Sequence, residues 1–207
     1  MKLRGLYAIT PESADGTKVL DQVHKALDGG ICALQYRNKE ASFFLQLGEA
    51  KGFAALCRTR GVPFIVNDNV DIAIASGADG VHLGRDDGDL AAARSKLKGK
   101  ILGVSCYDSL AAARSAVAAG ADYVAFGSVF LSPTKPAAVR APLTLFTEAR
   151  SLGVPLVAIG GITLENAPLL LRAGADCLAV ISDLFDASDI AERARSYGKL
   201  WAHEIAQ

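Results

Sequence analysis

The chain has 207 residues, 22 Lys+Arg against 22 Asp+Glu, and an apolar fraction of 51%. That length suits one domain, residues 1–207, large enough to bury a full core. A formal net charge of zero gives no indication of a nucleic-acid or membrane surface, and the apolar content argues against disorder.

The N-terminal stretch Met1–Thr10 carries two basic residues but too short an apolar run for a signal peptide. No segment is long and apolar enough to span a bilayer, so a cytoplasmic location is expected. Eight short apolar runs then follow one another: Leu6–Ile9, Ile31–Gln35, Pro63–Val66, Gly80–Leu83, Ile101–Val104, Tyr123–Phe126, Pro155–Ile159 and Cys177–Val180. Most are nearly continuous in hydrophobicity, as strands covered on both faces should be. Segments with helical spacing separate them. Asp108 is a cap candidate for the helix formers up to Ala119, and Thr163 for a helix that buries Leu164, Leu169 and Leu170.

A partial repeat supports the alternation. The tetrapeptide A-G-A-D, or S-G-A-D, stands at 76–79, 119–122 and 173–176. Each copy reads as a helix end, a left-handed Gly and the start of a strand, and Gly29-Gly30 fills the same place before Ile31. A β-α unit repeated eight times without a linker predicts an α/β fold, a closed parallel (β/α)8 TIM barrel. An open doubly wound sheet is disfavoured because no G-x-G-x-x-G follows the first strand.

Such barrels carry their chemistry at the C-terminal ends of the strands, and the polar residues collect there. Gln35, Arg37 and Lys39 alternate along one strand end and point the same way. Two cations and an amide form an anion clamp, or a solvated loop. Asn67, Asp68 and Asn69 end the third strand, and His82, Arg85, Asp86 and Asp87 follow the fourth. Asp68 and Asp87 are hard oxygen donors suited to Mg²⁺. They serve equally well as helix N-caps. The loop Ser132-Pro133-Thr134-Lys135 offers hydroxyls and a cation, and Gly160-Gly161 opens toward a helix at the recurrent phosphate position of these barrels. Cys32, Cys57, Cys106 and Cys177 show neither C-x-x-C nor zinc spacing. They are read as reduced, mostly buried thiols, with Cys106 also considered as a nucleophile. His82 is read as a structural hydrogen-bonding residue rather than a general base.

In order, Q-Y-R-N-K, N-D, H-L-G-R-D-D, G-V-S, S-P-T-K and I-G-G-I resemble the thiamine phosphate synthase family over nearly the whole chain. The resemblance implies a transferase that displaces pyrophosphate from hydroxymethylpyrimidine pyrophosphate and joins the pyrimidine methylene to the ring nitrogen of thiazole phosphate. It implies that Gln35, Arg37, Lys39 and Asn67 hold the pyrimidine pyrophosphate with Lys135, and that Asp68 and Asp87 hold Mg²⁺. Ser105 should lie beside the migrating pyrimidine, with Arg37 and Lys135 acting on the leaving group. Ser132, Thr134, Gly160, Gly161, Ile181 and Ser182 should shape the thiazole phosphate site. The chain departs from the family's common pattern at Asn69, where a second Asp is usual, and at Arg85-Asp86, where Gln-Glu is common. The related thiazole tautomerase shares the barrel but should not need the clamp or the carboxylate pair. A non-catalytic ligand-binding barrel would have lost part of the set. The partners implied are small molecules; the sequence leaves a homo-oligomer open.

Overall fold

In this computed structural model the described residues are 3–13, 15–131 and 140–204. Eight strands close into one barrel in sequence order: β1 (Gly5–Ile9), β2 (Ala33–Tyr36), β3 (Phe64–Asn67), β4 (Gly80–Leu83), β5 (Ile101–Tyr107), β6 (Tyr123–Phe126), β7 (Leu156–Ile159) and β8 (Cys177–Val180). Every neighbouring pair is parallel, and β8 seals against β1 with Tyr7 opposite Ala179. The helices are α1 (Gly16–Asp28), α2 (Phe43–Arg60), α3 (Val70–Ala75), α4 (Leu90–Leu97), α5 (Leu110–Ala118), α6 (Thr144–Ala149), α7 (Ala167–Ala173), α8 (Ser182–Phe185) and α9 (Ile190–Glu204). The eight apolar runs all become strands, and the open doubly wound alternative is excluded by closure.

Strand alternation divides the core in two. One set of side chains, among them Leu6, Ala8, Leu34, Val66, Val81 and Val124, packs outward against the helices. The other, Tyr7, Ile9, Ala33, Ile65, Tyr123, Ala125, Val157, Cys177 and Ala179, fills the barrel interior. This double burial is why the strands read as unbroken apolar runs. Gly103 faces Tyr123 across β5–β6, and a Cβ at that glycine would run into the tyrosine ring. The missing side chain makes room for a large aromatic in a narrow barrel.

The repeated aspartates tie strands together at the N-terminal end of the barrel. Asp79 accepts the N–H of Phe64 at 2.8 Å, Asp122 that of Leu102 at 2.8 Å and Asp176 that of Leu156 at 2.9 Å. Each satisfies a backbone donor in the first two residues of the preceding strand. The glycine before each has φ of 76°, 93° and 110° at Gly77, Gly120 and Gly174, and Gly30 has 90°, as the helix-end reading expects.

Local details differ from the sequence reading. The cap of α5 is Ser109, whose hydroxyl accepts from Ala112 N–H, rather than Asp108. Thr163 does not cap α7; it exchanges hydrogen bonds with Asn166 in the turn before the helix. Leu170 and Leu171 are buried on α7, whereas Leu169 is exposed. Cys106 lies within β5, faces the helix layer and donates to the Val104 carbonyl. Burial pushes its thiol up to about 12, so it is a core residue and not a nucleophile in the mouth.

Candidate active site at the C-terminal mouth

The ends of β2, β3 and β4 bring the first polar cluster together. Beyond β2, the Arg37 backbone is pinned by reciprocal bonds with Thr10 Oγ1, and its guanidinium pairs with Glu12 at 2.9 Å. Lys39 reaches across to Asp68, with Nζ 2.6 Å from Oδ2. Asp68 sits at the centre of a three-residue turn in which Asn69 N–H donates to the Asn67 carbonyl, and its φ is 62°. A left-handed non-glycine residue stores strain. Here the turn leaves the carboxylate on Lys39, while Asn69 caps α3 by accepting from Ile72 N–H. Asp68 is therefore not the cap. Neither Asp86 nor Asp87 caps α4; Asp89 does.

Asp87 meets Asp68. Its Oδ2 accepts Gly84 N–H at 2.6 Å. Desolvation first, then hydrogen bonding and repulsion from the Asp68 carboxylate, raise its carboxyl above the ordinary value, against the opposing pull of Gly84 N–H and Lys39. Two facing carboxylates are the hard donors present for a divalent cation. Among the described residues no group of three potential ligands forms, so such an ion would complete its shell with water or ligand oxygens. Arg85, without an assigned role from sequence, lies over the Tyr107 ring at 4.6 Å.

Below this cluster a chain of buried hydrogen bonds crosses the barrel. Gln35 Nε2 donates to Tyr7 Oη at 3.0 Å, and Tyr7 Oη is 2.8 Å from Tyr123 Oη. Tyr123 Oη is 2.9 Å from His82 Nδ1, and His82 Nε2 is 2.8 Å from Ser105 Oγ. The His82 ring also stacks on Tyr123. Burial pushes the imidazole down to about 4, with only the Asp68 charge acting the other way. It is neutral near pH 7 and fully hydrogen bonded, as the structural reading of His82 expected. Tyr7, Tyr123, Thr10 and Glu12 were not singled out in the sequence. The available signal was alternation: Tyr7 shares the inward face of β1 with Ile9.

The opposite side of the mouth is formed after β6, β7 and β8. Val129 and Phe130 N–H groups donate to the Ile159 and Gly160 carbonyls, stitching two loops together. Gly160 has φ 105° and a Cβ there would run into Ser128, and Gly161 has φ 63° and a Cβ there would run into the Leu131 carbonyl. Side chains at both would collide. The pair leads into a turn and reaches α7 only at Ala167, so it does not open a helix directly. Ile181 and Ser182 follow β8, with Ser182 beginning α8. Ser132, Thr134 and Lys135 lie outside the described residues. Lys39, Asp68 and Asp87 thus stand together, and Gln35 and Ser105 are the two ends of one buried chain. Asn67 pairs in register with His82 beside it.

The model of the thiamine monophosphate synthase family matches residues 6–184. A thiamine-phosphate synthase of Aromatoleum aromaticum is 59% identical over 97% of each chain, and one of an Azoarcus species is 56% identical over 97% of this chain and 98% of that one. The solved structure of thiamine phosphate pyrophosphorylase from Pyrococcus furiosus superposes with a TM-score of 0.86 at 35% identity, covering 98% of this chain and 96% of that one. A 3-hexulose-6-phosphate synthase, at 17% identity and a TM-score of 0.72, shares the fold alone. The chain belongs to the thiamine monophosphate synthase family.

Proposed function

We propose that this chain is a Mg²⁺-dependent transferase that makes thiamine phosphate from hydroxymethylpyrimidine pyrophosphate and thiazole phosphate. The thiazole nitrogen lone pair forms the new bond to the pyrimidine methylene. The methylene–oxygen bond breaks, and its electrons leave with pyrophosphate. The aminopyrimidine can stabilise positive charge on the methylene, so the protein must chiefly stabilise the leaving group and place the nitrogen.

The observation that carries this reading is the meeting of Lys39, Asp68 and Asp87 at one barrel mouth, above Gln35 and Ser105. Arg37, Lys39 and Lys135 take the charge of the departing pyrophosphate, with Arg37 steadied by Glu12. Asp68 and Asp87 would hold Mg²⁺, which would supply positive charge against the two carboxylates and the phosphates. Gln35, Asn67 and Ser105 surround the pyrimidine. Ser132, Thr134, Gly160, Gly161, Ile181 and Ser182 receive thiazole phosphate, with Gly160 and Gly161 letting their turn pack against the loop after β6. No nucleophile is required, in keeping with the buried, inert Cys106.

The test is incubation with both half-substrates and Mg²⁺. Thiamine phosphate and pyrophosphate should appear in equal amounts, and chelation of the metal should stop both. Product formed at full rate without a divalent cation would overturn the metal assignment; no coupling under any condition would overturn the reading.

A further inference from the structure

The buried chain from Gln35 to Ser105 has a direction. The Gln35 amide N–H donates to Tyr7 Oη, so the Tyr7 hydrogen turns to Tyr123 Oη. Tyr123 then has its own hydrogen left for His82 Nδ1. A ring that accepts at Nδ1 carries its proton at Nε2 when neutral, and so donates to Ser105 Oγ. The Ser105 hydrogen is left over and has no acceptor among the described residues. At the other end, Gln35 Oε1 has no donor among them. Five residues from β2, β1, β6, β4 and β5 thus fix one acceptor and one donor at the chain's two ends. Reversing any one member leaves two hydrogens, or two lone pairs, facing each other in a buried site.

We propose that Tyr7, Tyr123 and His82 are positioning residues that hold Gln35 as an acceptor and Ser105 as a donor toward the pyrimidine half-substrate. The inference rests on the functional reading above for the identity of that ligand. An aminopyrimidine presents both an amino donor and ring-nitrogen acceptors. A Gln35–Ser105 pair of fixed and opposite polarity matches it. A pair free to exchange roles would spend binding energy on becoming ordered. Gly103 contributes by leaving space for the Tyr123 ring.

The direction is read first in the resting protein, by ¹⁵N NMR of the histidine rings, with the His82 signals identified by their loss in His82→Gln. The expected result is a neutral ring protonated at Nε2 alone. The opposite tautomer, or a mixture of the two, overturns the proposal without any reference to catalysis. The second reading is kinetic. His82→Gln keeps a carbonyl for Tyr123 and an N–H for Ser105, and should stay within about threefold of the parent. His82→Leu breaks the chain and should raise KM for the pyrimidine pyrophosphate about tenfold, the value of one hydrogen bond, with KM for thiazole phosphate unchanged. Equal losses for both substrates, or a Gln variant as impaired as the Leu variant, would overturn the positioning role. Tyr123→Phe, which deletes only a hydroxyl, serves as the second chain-breaking variant with the same expected split if His82→Leu does not fold. A parent chain that binds neither half-substrate refutes the ligand assigned here, while the tautomer still decides the direction.

Discussion

Single side chains in the mouth carry a cost to the resting fold. Asp68 and Asp87 face each other, and desolvation first, then the Asp68 carboxylate, raise the Asp87 carboxyl above its ordinary value. A carboxyl raised on folding contributes stability below its ordinary value, and that contribution is lost as pH rises through the raised value. At neutral pH the pair therefore works against the fold. Asp87→Asn keeps an oxygen for Gly84 N–H while removing the charge, so it should raise Tm at pH 7 and abolish Mg²⁺-dependent coupling. Thermal melts with and without Mg²⁺ check both parts, since the ion should stabilise the parent and not the variant. Unchanged turnover in Asp87→Asn would contradict the metal role. Lys39 is half-exposed, and its ion pair with Asp68 adds little to stability. Lys39→Ala should melt near the parent temperature but bind pyrimidine pyrophosphate some tenfold to a hundredfold more weakly, as loss of a charge-assisted hydrogen bond predicts. Titration with thiazole phosphate should show a far smaller loss; equal losses would argue against the division of the site.

Elements show how much of this was legible beforehand. All eight strands were readable because the barrel buries both faces of each, and burial is written directly in apolar content. The helix starts were less so. Asp68 or Asn69, Asp87 or Asp89, Asp108 or Ser109 are all competent caps by composition. The choice falls on Asn69, Asp89 and Ser109 through backbone dihedrals that neighbouring residues do not encode. That choice bears on the proposed metal role, because it leaves Asp68 and Asp87 free of capping. The A-G-A-D repeat was visible as a helix end, but its aspartates' bonds to the previous strand were not, since they span 15 to 20 residues. Those bonds lie at the end of the barrel opposite the mouth. Asp176→Ala strands the Leu156 N–H and should destabilise by about 1–3 kcal/mol, measured by urea unfolding. Its KM values should match the parent; a selective loss of substrate binding would show that the two ends are coupled.

Across the whole molecule, closure is what the sequence could announce only in outline. The rule that chemistry gathers at strand C-termini located Gln35, Asn67, Asp68, Asp87 and Ser105, because it needs only strand order and direction. It could not find the Tyr7–Tyr123 bond, whose partners are 116 residues apart and meet only when the barrel closes around them. That contact makes His82 a property of the closed fold. The groups facing the ring are the neutral hydroxyls of Tyr123 and Ser105, with Asp68 the one charge acting on it. Folding lowers the imidazole from an ordinary value near 6.5 to about 4. The unfolded chain then takes up this proton first as pH falls. Stability due to neutral His82 is complete above pH 6.5 and drains away down to about pH 4, a total near 3 kcal/mol. Carboxylates titrate in the same window, so the informative quantity is a difference between proteins. On lowering pH from 7 to 4.5, the parent should lose about 2 kcal/mol more unfolding free energy than His82→Gln, which has no ring to protonate. Parallel losses in the two proteins would mean that His82 is not held neutral by the closed barrel, and the ordering of its neighbours would need another source.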